Sequence, residues 1–348
     1  MAYKIEGLPK GAVVGYGGAF NMGKKHLTEM AASGITPTAV VELDPERLKV
    51  AEADFPGIET YTDLGEMLEK SEANVVAIIT PHNTHASLAF QCLRADRHVV
   101  TEKPMTITTE ECDRIIDEAH KRDLLLSCYH NRHWDGSVIK AREIVQSGEI
   151  GEVFRIEAHM GGYSAPREWW RSRRSVSGGI LYDWGVHLLE YSLQIFSVSG
   201  DTELTEVSGY AQEGFWKNHS PDPDDTNEDE GYLVARFKNG KWLTMTMTSL
   251  DSYPKNDRGI LEVTGTQGTL LVFHDRYQIR KMVDGENHYR EGKNPPGTQE
   301  RYYQNIGAAL RNEEPLIITP EWARRPVHIL DLAVKSAKAG HALPAKYA

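Results

Sequence analysis

Asp183 and His187 stand four residues apart in "SGGILYDWGVHLLEYSLQIF", Ser177 to Phe196. On a helix that spacing puts a carboxylate and an imidazole on one face. An imidazole with an ordinary pKa of about 6.5 exchanges a proton with a hydroxyl near neutral pH, and a neighbouring carboxylate can orient it or bind the substrate. Ile180, Leu181, Trp184, Leu188, Leu189, Leu193, Ile195 and Phe196 recur at helical spacing, so the stretch reads as an apolar helix. Gly178 and Gly179 at its start permit close backbone approach. A plainer alternative stays open from spacing alone: Asp183 as a first-turn dipole partner and His187 as a core histidine.

A second constellation suits phosphate. "VVGYGGAF" sets Gly15, Gly17 and Gly18 after a strand and before a helix, with Ala19 and Phe20 completing the turn. Glycines there let backbone N–H groups approach a pyrophosphate, and the helix N-terminus favours its charge. Phe20 occupies the sixth position of the GxGxxG pattern and Gly23 comes three residues later, so the turn is lengthened. Any glycine turn of an α/β protein would read similarly. Glu42 ends the second strand, where an acid binds ribose hydroxyls and repels a 2′-phosphate; this predicts NAD over NADP, against the alternative of a solvated strand end.

Ligands of such sheets bind at the carboxyl ends of the strands. "IITPHNTH" contributes Thr80, Pro81, Asn83 and His85 there, and "VVTEKP" contributes Glu102 and Lys103. Pro104 keeps Lys103 out of the helical region and leaves its peptide bond open to the cis form. A held lysine could stabilise a developing alkoxide, although an ordinary surface lysine fits the same turn. Asn131 and Arg132 follow the last of these strands. "YSAPREWWRSRRSVSGG" combines Arg167, Arg171, Arg173 and Arg174 with Trp169 and Trp170. Aromatic faces beside cations suit a sugar or polyol, and an arginine suits a carboxylate or phosphate on it; a solvated or subunit-interface loop is the alternative. Tyr163, Trp170 and Arg171 are the substrate-binding candidates. The HxxH pairs His82/His85 and His130/His133 lack a third ligand at a recognisable spacing, so no metal is expected.

The elements that must carry these residues change rhythm along the chain. Up to residue 129, short β-branched runs alternate with helices, which implies an α/β fold with a doubly wound parallel sheet. Asn21 and Asp44 read as helix caps, and Gly34 as a helix stop. From residue 130 onward, closely spaced strands predict an antiparallel sheet, with a hairpin at Asn239-Gly240 and a second strand pair in "GILEVTGTQGTLLVF". The acidic "HSPDPDDTNEDE" reads as a solvated loop, and Pro320 to about Lys338 as a helix. Two domains, 1–129 and 130–348, suit a chain of 348 residues. A net charge of −11 argues against a polyanion-binding surface, and neither a nucleic-acid signature nor a Gly-x-Ser-x-Gly elbow appears. Three cysteines without a CxxC pair, and an N-terminus without an apolar run, lead us to expect reduced thiols in a cytoplasmic protein that does not enter the membrane.

Taken together, "GYGG", "VVELDPER", "TPHNTH", "HVVTEKP", "HNRHWDGSV", "SGGILYDWGVHLLE" and "LAVKSAKAG" resemble the glucose–fructose oxidoreductase and inositol dehydrogenase family (Gfo/Idh/MocA) over almost the whole chain. The resemblance implies an N-terminal Rossmann domain and a C-terminal α/β domain with a large, open, mostly antiparallel sheet that commonly mediates dimers or tetramers. It also implies a catalytic lysine, aspartate and histidine, which match Lys103, Asp183 and His187, and places Asn131 and Arg132 near nicotinamide or substrate. The activity implied is NAD-dependent oxidation of a secondary alcohol of a sugar, polyol or derivative. An NAD-retaining lyase or glycosidase and a non-enzymatic NAD sensor are the alternatives.

Overall fold

The computed structural model describes Tyr3 and residues 7–18, 20–200, 202–253 and 259–345. Ala19 lies outside the described residues. The chain forms two compact units, Met1–His130 with Glu300–Arg325, and Asn131–Gln299 with Pro326–Ala348. A single cut at residue 129 therefore omits one feature: residues 300–325 return to the first unit.

In the first unit, β1 (Lys10–Val14), β2 (Thr36–Val41), β3 (Glu59–Tyr61), β4 (Val75–Ile78), β5 (His98–Thr101) and β6 (Leu126–Cys128) pair in parallel. Their order is β3-β2-β1-β4-β5-β6, which reverses between β1 and β4 and opens a ligand crevice at the strands' carboxyl ends. Val13, Val40, Val75, Val76, Val99 and Val100 are fully buried, as β-branched strands covered on both faces require. The intervening helices are α1 (Met22–Ala32), α2 (Pro45–Asp54), α3 (Leu64–Lys70), α4 (His85–Arg94) and α5 (Thr109–Lys121). Asp44 accepts from the N–H of Glu46 and caps α2, while Thr108 and Glu111 form a reciprocal capping box on α5.

The second unit begins with α6 (Gly136–Gln146), β7 (Val153–Gly161), the short α7 (Arg174–Ser177) and α8 (Gly185–Val198). Strands β8 (Leu204–Gln212), β9 (Glu230–Phe237), β10 (Trp242–Thr248), β11 (Leu261–Gly265), β12 (Gly268–Val272), β13 (Arg276–Val283) and β14 (Glu286–Lys293) follow. Helix α9 (Arg301–Leu310) packs on α1 of the first unit's own core, α10 spans Pro320–Ala339, and β15 (Leu343–Pro344) completes the second sheet. The nine strands run β14-β13-β12-β11-β7-β10-β9-β8-β15 and are antiparallel except for the β7–β10 pair. The β9–β10 hairpin turns at Gly240, at φ 81°, and β11–β12 turns through Thr266 and Gln267. All three cysteines are buried free thiols, and burial pushes Cys92 and Cys112 up to about 12. No helix among the described residues is long and apolar enough to cross a membrane.

Strand β8 approaches α10 at Gly209, whose N–H donates to the Ser336 hydroxyl at 3.0 Å. A Cβ on Gly209 would lie 1.9 Å from the carbonyl oxygen of Ala333. Gly209→Ala is therefore expected to lower stability by about 1–3 kcal/mol, the usual range for overpacking, read as an earlier denaturant midpoint. An unchanged midpoint would mean that α10 can recede from β8 freely.

Candidate functional site

Gly15, Gly17 and Gly18 adopt φ of 101°, 79° and 76°, a region that side-chain-bearing residues rarely enter. A Cβ on Gly15 would lie 2.7 Å from the carbonyl oxygen of Ile79, whereas one on Gly18 would meet open space. Asn21 caps α1 as expected, but its side chain does more. Its carbonyl oxygen accepts from the N–H of Lys24 at 3.3 Å and from that of Gly17 at 3.1 Å, closing the lengthened turn on itself. Phe20 is 66% exposed at the tip. Glu42 accepts from the N–H groups of Tyr16 at 2.8 Å and Asp44 at 3.1 Å. The acid at the end of β2 thus braces the glycine turn. Arg47 lies 3.8 Å from it, and the arginine's stem would contact a Cβ on Gly17 at 3.2 Å.

Beside this turn, the ends of β4 and β5 are tied together. The Thr80 and Thr84 hydroxyls pair at 2.6 Å, Pro81 accepts from the Thr84 N–H and hydroxyl, and Asn83 is exposed. Both ring nitrogens of buried His85 face carbonyl oxygens, of Pro104 at 2.8 Å and Thr80 at 2.9 Å. His85 thereby braces the two turns at the ends of β4 and β5. The Lys103–Pro104 bond is cis. Glu102 turns its carboxylate back onto the N–H of Lys103 at 2.9 Å and toward His26 at 3.3 Å. Burial works against its charge, but the His26 hydrogen bond and charge, with Lys103, outweigh it and hold the carboxyl at about 2.

The second unit holds the remaining candidates. Helix α8 starts at Gly185, so Asp183 lies on the preceding turn, outside the helix expected from the sequence. The helical i, i+4 relation consequently does not govern the two side chains. Tight turn residues Ile180–Trp184 intervene because the chain must first leave Gly179, at φ 118°. His187 occupies the first turn of α8 and is 4% exposed. Trp184 meets it edge-on at 5.4 Å and Tyr191 stacks at 6.4 Å. Tyr191 donates to Asp135 at 2.7 Å, which also accepts from Arg132 at 3.1 Å and from Gln299. Arg132 covers the Trp184 ring at 4.8 Å, His274 approaches that ring at 6.2 Å, and Asn131 donates to Gln299 at 3.3 Å. Burial first, then the Arg132 charge, pushes the His274 imidazole down. Arg171 lies over Trp169 and Trp170, with its Nε 3.4 Å from Asp183. Tyr163 is 57% exposed and packs against Phe215 and Trp216.

What positions Asp183 was not read from the sequence. The end of the acidic loop, expected to be solvated, clamps the segment before α8. Asp225 accepts from the N–H of Ser175 at 2.8 Å, and Asn227 donates to the carbonyl of Arg171 at 2.7 Å. Glu228 accepts from the N–H of Ile180 at 2.9 Å, and a Cβ on Gly179 would lie 2.6 Å from that carboxylate. Glu228 and Asp229 are buried because unpaired turn N–H groups need acceptors. Among the described residues no group of His, Cys, Asp or Glu is arranged to hold a metal ion.

Comparisons with known proteins identify the family. The family model described as "Oxidoreductase family, NAD-binding Rossmann fold" matches residues 10–130, and the Gfo/Idh/MocA C-terminal domain matches 138–271. The chain belongs to the Gfo/Idh/MocA oxidoreductase family. Its first unit is the NAD-binding Rossmann fold of that family. An uncharacterized oxidoreductase of Schizosaccharomyces pombe is 34% identical over 148 residues, 42% of this chain and 40% of that protein, so the match spans well under half of that relative's length. A myo-inositol 2-dehydrogenase of Thermotoga maritima is 27% identical over 71% of this chain and 70% of its own. A crystal structure of an NAD-binding protein from Listeria innocua is 25% identical, with a TM-score of 0.80 over 97% of each chain. The glycine turn of this family member fits a pyrophosphate, since Gly18 opens onto space that a side chain would fill. If Glu42 braces that turn, Glu42→Ala raises the NAD dissociation constant about tenfold, near 1.4 kcal/mol. Titration by protein fluorescence measures it, and an unaltered constant removes Glu42 from cofactor binding.

Proposed function

We propose that this oxidoreductase is an NAD-dependent dehydrogenase acting on a secondary alcohol of a neutral sugar, polyol or close derivative. The observation that carries the reading is His187, nearly buried on the first turn of α8, with an arginine-held Asp183 on the turn that leads into that helix. NAD, when bound, supplies the hydride acceptor. His187 takes the hydroxyl proton, with Trp184 and Tyr191 restricting its ring to one orientation. Asp183 hydrogen-bonds the substrate or the imidazole, and Lys103 is the amine proposed to stabilise developing alkoxide charge. Glu42 favours NAD, because an acid there disfavours a 2′-phosphate.

The arginine-rich segment supports an uncharged ligand. Arg171 pairs with Asp183, Arg173 with Asp222, and Arg174 with Glu213 and Glu228. Local balance removes the positive field that an anion would need, while Trp169 and Trp170 keep aromatic faces suited to a sugar ring. The myo-inositol 2-dehydrogenase of Thermotoga maritima, whose name specifies a cyclic polyol, supports the same class. A homodimer or homotetramer through the open nine-stranded sheet, in a reducing cytoplasm that keeps the buried thiols free, completes the reading.

Purified protein is incubated with NAD and a panel of sugars, polyols and glycosides, and both NADH absorbance and product identity are followed. Stoichiometric NADH with a ketone product supports the dehydrogenase. Cleavage without NADH would replace it with a lyase or glycosidase, and NAD binding with neither outcome would favour a sensor. His187→Ala is expected to retain NAD binding and lose turnover about 10²–10⁴-fold, the usual contribution of a general base. Full turnover by that variant would remove His187 from the mechanism.

A further inference from the structure

Behind Lys103 lies a set of buried polar side chains that the proposed reaction does not use. His26, on α1, is fully buried. Its Nδ1 lies 2.6 Å from the Tyr303 hydroxyl, and its Nε2 lies 3.3 Å from Oε1 of Glu102. The other carboxylate oxygen of Glu102 accepts from the N–H of Lys103 at 2.9 Å. The rings of Tyr129 and Tyr303 enclose the imidazole, at 4.2 and 5.6 Å, and Tyr129 in turn donates to Glu29 at 2.6 Å.

We propose that Tyr303, His26 and Glu102 form a buried relay that positions the Lys103 turn, with His26 as the positioning residue. This rests on the reading of Lys103 as donor to the substrate oxygen. A buried carboxylate needs both oxygens satisfied, or it rotates or takes up a proton. His26 meets the need in either of its own protonation states. Nε2–H donates to Glu102, while Nδ1 either accepts from Tyr303 or donates to it. With Oε1 so held, Oε2 is fixed on the Lys103 N–H, and the backbone from which the lysine extends has one direction.

The groups that face Glu102 leave few substitutes for His26. They are Lys103 on its own turn, His85 from α4, Cys128 of β6 and Tyr129 beyond it, and Tyr302 and Tyr303 from α9. Burial pushes the thiol and all three phenols well up, so they are neutral near pH 7 and offer no counter-charge. Of these groups and His26, only His26 and Lys103 favour the ionised carboxylate. Taking His26 away therefore raises the Glu102 pKa, and the ionised form is then lost as pH falls.

The variants are His26→Leu, His26→Gln and Tyr303→Phe in the full chain. In His26→Leu, kcat at saturating NAD is expected to fall about 10²-fold, the cost of a small misplacement of a reacting group, with the NAD dissociation constant unchanged. The variant should also gain an acid limb in its pH profile that the wild type lacks. His26→Gln should recover part of kcat, because its amide N–H still reaches Glu102, and Tyr303→Phe should show the same acid limb more weakly. Hydrogen exchange at the Lys103 amide gives a readout independent of turnover: protection should drop about tenfold in His26→Leu, one decade of local opening. Unaltered kcat, profile and Lys103 protection in both His26→Leu and Tyr303→Phe overturn the relay. So does a loss that follows the melting temperature and NAD affinity and that His26→Gln does not rescue. If the wild type oxidises no alcohol of the panel, the dehydrogenase reading fails, and Lys103 protection still decides the relay.

Discussion

A turn at the end of a strand leaves backbone N–H groups without ladder partners, and in a crevice they are also withdrawn from water. This protein meets that constraint with carboxylates. Glu42 accepts from Tyr16 and Asp44, Glu102 from Lys103, Glu228 from Ile180, and Asp229 from Phe215 and Trp216. A carboxylate that accepts backbone N–H bonds fixes the direction of the peptide planes it touches. The glycine turn, the lysine turn and the approach to α8 are each held in this way. The glycine turn, the backbone of Lys103 and the approach to Asp183 are therefore each set by a buried or half-buried acid.

That arrangement constrains the residues opposite each acid. Gly179 has positive φ and no room for a Cβ against Glu228, so its place is determined twice, by conformation and by the carboxylate. Arg174 adds a cation to Glu228 at 3.4 Å and so offsets the desolvation of its charge. The arginines before α8 belong to this scheme. In the sequence they suit a sugar or polyol, or a solvated or interface loop; in the folded unit they pair with acids around the turn, Glu228 among them.

Local signals carried much of the fold. The βαβ rhythm, the caps at Asn21 and Asp44, the Asn239-Gly240 hairpin and the C-terminal helix all follow from residues within a few positions of one another. What the sequence hides is long-range. Residues 300–325 return to the first unit because α9 packs on α1, and no periodicity within α9 announces its partner. His26 reads as one more residue of an amphipathic helix; only the arrival of Tyr303, far along the chain, gives its second nitrogen a partner. The acidic loop misleads for a different reason. Its composition is that of a solvated segment, yet Glu228 and Asp229 are buried, since they satisfy N–H groups in the turn before α8 and at the far end of the same β8–β9 connection. The helix start was misplaced because apolar periodicity runs through Ile180 and Leu181, which are in a turn; the left-handed Gly179 decides the boundary, and periodicity is blind to it.

The same reasoning explains why His187 stands on an apolar, largely buried helix that nonetheless carries polar residues. Residues 185–196 of α8 are all buried, and among them are Glu190, Ser192 and Gln194. A helix buried on all sides is ordinarily apolar throughout. Here the polar groups find partners in the 131–135 segment and within the helix. Glu190 meets His133 at 2.6 Å and Gln194 at 2.8 Å, Tyr191 meets Asp135, and the Ser192 hydroxyl donates to the carbonyl of Leu188. The residues three and four positions after His187 are thereby locked to a second segment by side-chain bonds, and ring contacts with Trp184 and Tyr191 act on the imidazole itself. Apolar packing alone would hold the helix axis but would let it turn about that axis at little cost. Directional bonds at Glu190 and Tyr191 forbid that rotation, which is the freedom His187 must lose if it is to serve in the proposed proton transfer.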